Sequence, residues 1–274
     1  MKLLLALIPL AQSASLSTSS TSSTQQSLHI SDLTAFGRTS TSDINNFYYN
    51  KYSSYPDGWC INEDTYGQAA SWNGQTLCQV YNYDAYKNLG QQVNKDSFTQ
   101  KQITISQSTI KNCGNSYSTR SISLSGSTGY SAAISMSSTF GLSWKGYVDL
   151  KFTAPNGLTF YASSSIGSSG SSSGSSSASA STTISVPPKK QVTVQLVATQ
   201  YSGTVDYSIP VTTSGYLYGN FQNTVCYNGS CANLWYDDIT KAVNNNKAEI
   251  YGIADVSASG NAQMVVGSFV SANC

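Results

Sequence analysis

From Gln102 to Thr213 the chain alternates between apolar and polar side chains with a period of two, the spacing at which successive residues of a β-strand point to opposite faces. Even-numbered positions hold Ile122, Leu124, Tyr130, Ala132, Ile134, Met136, Phe140, Leu142, Trp144, Val148, Leu150, Phe152 and Ala154, while the odd ones hold mostly Ser, Thr, Gly, Lys and Asp. The alternation runs far past the about five or six residues of an ordinary strand. It therefore predicts long antiparallel strands with one apolar and one wet face. Pro155-Asn156-Gly157 is a turn signal, and the same parity resumes after it at Leu158, Phe160, Ala162 and Ile166, then at Ala178, Ala180, Ile184 and Val186.

Residues 140–163 are the cleanest stretch of the pattern. Read as a hairpin turning at Pro155, Asn156 and Gly157, they place Phe140, Leu142, Trp144, Val148, Leu150, Phe152, Leu158 and Phe160 on one face. Ser143, Lys145, Tyr147, Asp149, Lys151, Thr153, Thr159 and Tyr161 share the other, so charge is confined to one side. A transmembrane β-strand needs about 9 to 11 residues, apolar toward lipid and polar toward water, and this segment meets both conditions. Its large apolar side chains give on the order of 10 to 20 kcal/mol of gross transfer gain. A lone hairpin in lipid still leaves unpaired N–H and C=O groups at both edges, so insertion requires closure into a barrel. One chain has too few strands for that. Several copies are needed, the first set of residues facing lipid and the second lining a water-filled lumen. Alternation alone also suits a hairpin half-buried on the core of an ordinary β-sandwich.

The flanks bear on that choice. Residues 163–183 are Ser, Gly, Ala and Thr apart from Ile166, the composition of a flexible linker, yet a structureless loop of about 20 residues is uncommon inside a compact domain. As a strand returning beside residues 116–138 they extend the hairpin into a stem roughly 70 Å long at about 3.3 Å per residue. Its Ser and Gly faces are weak enough to separate and re-pair.

The remaining segments differ in kind. Met1-Lys2, the apolar run Leu3 to Ala11 and the small residues after it read as a secretory signal peptide over residues 1–15, too short for a membrane anchor. Residues 16–30 are a Ser/Thr-rich leader. Residues 31–100 are rich in aromatics and predict a small α+β head, with helices starting near Ser42-Asp43 and near Tyr83-Asp84. Within it Trp59, Trp72, Tyr52, Tyr55 and Tyr66 are candidates to stack on a receptor's sugars or to sit at a headgroup surface, or else to be core. Residues 101–223 carry the long strands. Residues 224–274 predict a short helical stretch at Asp237 to Val243 and two strands, Ala248 to Val256 and Ala262 to Val270, closing a smaller sheet. An even set of six cysteines suits an oxidising compartment. Sequence alone leaves their pairing open, and proximity suggests Cys60 with Cys78, Cys226 with Cys231, and Cys113 with Cys274. The sequon at Asn228 marks a surface position open to glycosylation.

Composition narrows the function classes. Of 274 residues only 10 % are charged and the formal net charge is +1, which excludes a coiled coil and disfavours nucleic acid as a partner. His29 is the sole histidine, which removes zinc sites built on His pairs and makes histidine catalysis improbable. Gly170-Ser-Ser-Ser-Gly174 has the spacing of a hydrolase nucleophile elbow but lies in a low-complexity run. Glu63-Asp64 and Asp237-Asp238 are adjacent acids of the sort that cap helices or solvate a surface, and Lys189-Lys190 is a solvated turn. No enzyme, metal or cofactor is indicated.

The Ser/Thr-rich strand Ser116 to Thr139, the amphipathic tongue Phe140 to Tyr161 and the second Ser-rich strand lead through Val186-Pro187-Pro188-Lys189-Lys190 into Gln191-Val-Thr-Val-Gln-Leu-Val, and then to Thr204-Val-Asp-Tyr-Ser-Ile-Pro-Val211. In these features residues 100–215 resemble the aerolysin-like β-pore-forming toxins, in the branch of the epsilon-toxin and mosquitocidal-toxin family. The resemblance implies a mainly β, elongated fold of long twisted antiparallel strands. It further implies a secreted protein that binds a cell-surface receptor, for which a glycan or glycoprotein is one candidate, forms a homo-oligomer and converts the tongue into a transmembrane β-barrel in the target-cell membrane. The head resembles nothing nameable. The alternative is a secreted lectin-like glycan-binding protein that uses the head and never inserts. A structural coat protein is the third class.

Overall fold

Strand is what the period-two segments become, and the computed structural model describes residues 24–38, 40–68, 71–72, 74–81, 84–155, 157–245 and 247–274. The expected signal peptide and most of the leader lie outside the described residues. The head comprises β1 (Gln25–Ser27), a 3-10 helix (Ile30–Phe36), α1 (Thr41–Tyr52), β2 (Gly58–Ile61), β3 (Asp64–Gly67), β4 (Ser71–Trp72), β5 (Gln75–Thr76), α2 (Leu77–Tyr81) and β6 (Ala85–Leu89). The long strands follow as β7 (Val93–Asn112) and β8 (Ser118–Ser138), then the short pair β9 (Val148–Thr153) and β10 (Thr159–Ser164), then β11 (Ser169–Val186) and β12 (Lys190–Tyr227). β13 (Ser230–Asp238), α3 (Ile239–Ala242), β14 (Lys247–Val266) and β15 (Val270–Ser271) complete the chain order.

β12, with 38 residues, organises the molecule. Its first half is flanked by β7 on one side and β14 on the other, and its second half pairs with β6, β2 and β13 of the head. β8 joins β14 through nine pairs, Ser138↔Ile250 to Tyr130↔Ala258, and carries β11 on its other edge over its whole length. Beyond Tyr130 the sheet divides. β8 and β11 there fold over β7 and β12, and the two leaves close on Leu124, Ile184, Val186, Val192, Val194 and Leu196. The main core lies under the head and the middle of the stem. The Ser/Gly-rich segment is strand β11, returning beside β8 as the alternation implies: Ser169 faces Ser135 and Val186 faces Ser118.

In α1, Ser40 N donates to Asp43 Oδ2 at the start, an N-terminal box that satisfies an otherwise orphan amide. Ile44, Tyr48 and Tyr52 then form its buried stripe at four-residue spacing. Two local expectations fail. The residues after Tyr83-Asp84 form β6, whose alternating Ala85, Lys87 and Leu89 pair with β12. The two expected C-terminal strands are one, β14, and it belongs to the main sheet. The interval left between them holds a bulge: Val197 faces Gln263 while Thr199 faces Gly260, with Asn261 in a left-handed conformation. The boundaries drawn at 100/101 and 223/224 fall inside β7 and β12.

Disulfides join Cys60 to Cys78, Cys113 to Cys274 and Cys226 to Cys231. The last closes the β12–β13 turn, where Asn228 and Gly229 have positive φ and are exposed.

Candidate functional site

β9 and β10 form a hairpin of their own, outside the main sheet, with Thr159 opposite Thr153, Phe160 opposite Phe152 and Ser164 opposite Val148. Ala154 O accepts from Gly157 N at 2.8 Å, and Leu158 O accepts from Ala154 N at 2.9 Å. Gly157, at φ 82°, supplies the left-handed residue of this turn. Pro155 is exposed, and Asn156 lies outside the described residues.

The hairpin is sorted by face. Val148, Leu150, Phe152, Ala154, Phe160 and Ala162 are buried, pressed onto the stem. Phe160 stacks on Tyr130 with centroids 4.7 Å apart, and Phe152 meets the edge of Tyr207. Leu158 is half-buried. Lys151, Thr153 and Tyr161 are exposed, and Asp149 and Thr159 half-buried, on the opposite face. Tyr207 donates to Ser135 O at 2.6 Å, and burial pushes its phenol up to about 12.

The first part of the expected hairpin is not strand. β8 ends at Ser138 and residues 139–147 cross to the head as a loop. Gly141 and Gly146, at φ 86° and 82°, turn the chain out of the extended conformation, and a Cβ at Gly141 would come 2.8 Å from Thr34 Cβ. Consequently Phe140 is 87 % exposed, while Leu142 and Trp144 are buried in the loop rather than on a hairpin face. Ser143, Lys145 and Tyr147 are exposed residues of the same loop.

Three polar clasps hold loop and hairpin in place. Lys87 Nζ, 2.8 Å from Asp32 Oδ2, donates to Ser143 O at 2.7 Å, and Ser143 N and Oγ donate to Asp32 Oδ1 at 2.9 and 2.7 Å. Gln26 accepts from Lys145 N and donates to Lys145 O, at 2.9 and 2.6 Å. Gln92 repeats this with Lys151 N and O at 2.8 and 2.9 Å, assisted by Asn94. Each glutamine amide thus stands in for the neighbouring strand that an unpaired edge lacks. Sequence reasoning missed these residues. Lys87 alone left a signal, since it occupies a core-phase position of an alternating strand.

Of the aromatic candidates in the head, Trp59 and Tyr52 are core, 0 % and 6 % exposed. Trp59 Nε1 donates to Asn45 Oδ1, and Tyr52 Oη donates to Asp237, which also pairs with Lys51. They correct the expectation of receptor contact there. Tyr55 and Tyr66 are exposed, and the side chain of Trp72 lies outside the described residues. Tyr55 is stacked on Tyr49, also exposed and not anticipated, with centroids 4.5 Å apart. The adjacent acids are structural: Asp64 accepts from Ile30 N and lies 3.2 Å from His29 Nδ1, and Asp238 caps α3 through Thr240 N.

No protein-family model matches the sequence. Among solved structures, the chain is similar to parasporin-2, a Bacillus thuringiensis toxin that recognizes cancer cells. The two share 26 % identity and a TM-score of 0.58 over 90 % of this chain and 98 % of that one. Fainter likenesses are to a non-toxic crystal protein from Bacillus thuringiensis, at 12 % identity and TM-score 0.43 over 71 % of this chain and 92 % of that one, and to the Mpp75Aa1.1 β-pore-forming protein from Brevibacillus laterosporus, at 11 % and 0.40 over 88 % and 92 %.

Proposed function

From the premise that this chain has the aerolysin-like fold of the β-pore-forming toxins, we propose that it is a secreted pore former whose hairpin enters the target-cell membrane. One observation carries the reading. Among the described residues the hairpin Val148–Ser164 forms strand pairs only within itself, with its aliphatic and phenylalanine side chains buried or half-buried and its charged ones outward, so it can lift off the stem before any ladder of the main sheet breaks. In water its apolar face is covered by Tyr130 and Tyr207. In lipid the same face, extended by Phe140, Leu142 and Trp144, is satisfied by acyl chains, and Lys145, Asp149 and Lys151 line the lumen.

Closure demands several copies, since the edges of a single hairpin cannot be paired in lipid. The head then serves to bind the cell. The exposed Tyr49–Tyr55 stack and Tyr66 support a glycan or glycoprotein receptor, because flat aromatic surfaces stack on sugar rings. The same surface would serve a glycan-binding protein that never inserts, and leakage separates the two.

The test is release of a fluorescent dextran from sealed erythrocyte ghosts, with a gel for SDS-resistant oligomers. Cysteines replacing Gln92 and Lys151, joined by a short bis-maleimide, tie the hairpin to the stem. Pore formation predicts leakage by the parent chain and none by the tied one. Leakage that survives the tie refutes the hairpin's role, and binding without leakage favours the lectin-like alternative.

A further inference from the structure

The hairpin and the stem beneath it do not share a register. Carried downward from Phe160↔Phe152, the hairpin's pairing would set Ser168 opposite Trp144, Gly170 opposite Leu142 and Ser177 opposite Ser135. In the stem Ser135 instead faces Ser169, eight residues from Ser177. The surplus chain is stored in the loop 139–147, which the Asp32–Lys87 pair and Gln26 hold against the head.

Three features make this difference reversible. An offset of eight is even, so a slide by that amount leaves every side chain on its own face. The exposed face of β8 and β11 is almost all Ser, Thr and Gly. Ser135 meets a serine in either register, as do Ser131 and Ser127, and such faces specify register weakly. Glycine also falls beneath a bulky side chain both ways. Gly174 now lies under Tyr130, where a Cβ would meet the ring at 2.6 Å, and after the slide Gly170 lies under Leu142.

Tethers decide which strand moves. Only residues 187–189 link β11 to β12, and Lys190 at the start of β12 is paired with both Asn112 and Ser271. Three residues span about 10 Å, whereas eight residues of strand span about 27 Å. β11 cannot travel that far. β8 can, because its lower end runs into the loop 113–117 and movement in that direction slackens the connection.

Resting on the pore-forming reading, we infer that insertion slides β8 eight residues past β11, away from the hairpin. Residues 139–147 enter the strand, residues 118–125 leave it at the far end, and a single register runs from the turn at Gly157 to Val186. β8 parts from β14 as it does so. Phe140, Leu142 and Trp144 thereby join the face already held by Val148, Leu150 and Phe152, which lengthens the apolar band.

Two double variants at exposed serines test this, Ser135→Cys with Ser169→Cys, and Ser135→Cys with Ser177→Cys. Both should keep the parent's denaturation midpoint. In water, copper-phenanthroline oxidation should join 135 to 169 and not 135 to 177, read by peptide mass mapping. In SDS-resistant oligomers recovered from leaking erythrocyte ghosts the preference should reverse, and prior joining of 135 to 169 should cut dextran release at least tenfold. Leaking oligomers in which only 135 and 169 can be joined overturn the slide and leave pore formation standing. A parent chain that leaves ghosts sealed at every concentration overturns both.

Discussion

Lys87 and Asp32 form a closed ion pair beneath the loop that leads into the hairpin, with side chains 2 % and 0 % exposed. Ser143 completes it by contributing a carbonyl to the lysine and two donors to the carboxylate. A buried charge stripped of its partner is costly, about 3 to 5 kcal/mol. Lys87→Met or Asp32→Asn should therefore lower the stability of the soluble protein by roughly that range. The double variant should lose less than the two singles together. Urea denaturation of all four proteins measures the coupling.

The glutamine clasps are gentler. Gln26→Ala and Gln92→Ala each remove two hydrogen bonds to an exposed edge, a loss of about 1 to 2 kcal/mol. Little of it should appear in global unfolding. Amide exchange at Lys145 or Lys151 should quicken, and dextran release from ghosts should begin sooner. Unchanged exchange at both amides would show that the clasps hold nothing.

Lys151 is exposed on the outer face of β9, so its charge can be reversed without disturbing the soluble core. In a barrel it would face the lumen with Lys145 and Asp149. Lys151→Glu should leave the denaturation midpoint within about 0.5 kcal/mol and move the reversal potential of single channels in a planar bilayer toward cation preference. A reversal potential identical to the parent's would place this side chain outside the conduction path.

Alkaline pH should loosen the hairpin's seat. Burial raises the Tyr207 phenol to about 12, against about 10 for an unfolded tyrosine. Between those values the unfolded state has already lost the proton that the folded state keeps, so stability falls as pH rises. The contribution is intact below about pH 10 and gone above about pH 12, and is worth at most about 3 kcal/mol. Tyr48 and Tyr52, also raised first by burial, act in the same sense. Tyr207→Phe should flatten part of the decline in denaturation midpoint between pH 9.5 and about 11.5.

Period two was enough to place β8, β11 and the hairpin on one parity, because strands bury alternate residues wherever they lie. It could not reveal the loop 139–147. Leu142 and Trp144 keep the apolar phase there, yet the chain leaves the strand after Ser138 and turns at Gly141 to meet Asp32 and Lys87, residues remote in sequence. Composition likewise marked the head as aromatic without separating Trp59 and Tyr52, which pack inside, from Tyr49 and Tyr55, which stack in water. The break expected between Val256 and Ala262 is a bulge within β14, because β12 continues past it as a template.

The Cys113–Cys274 bond spans 161 residues of sequence, and the ring it closes contains the hairpin, both serine strands and the whole of β12. In a reducing compartment that ring stays open, and the far tip of the stem is held by packing, by the pairing of Lys190 with Asn112 and Ser271, and by the Asn112 amide donating to Val186 O. Where thiols oxidise it locks, restricting the unfolded chain by about 5 kcal/mol. The same polypeptide is thus a looser object while its thiols are reduced than after they oxidise.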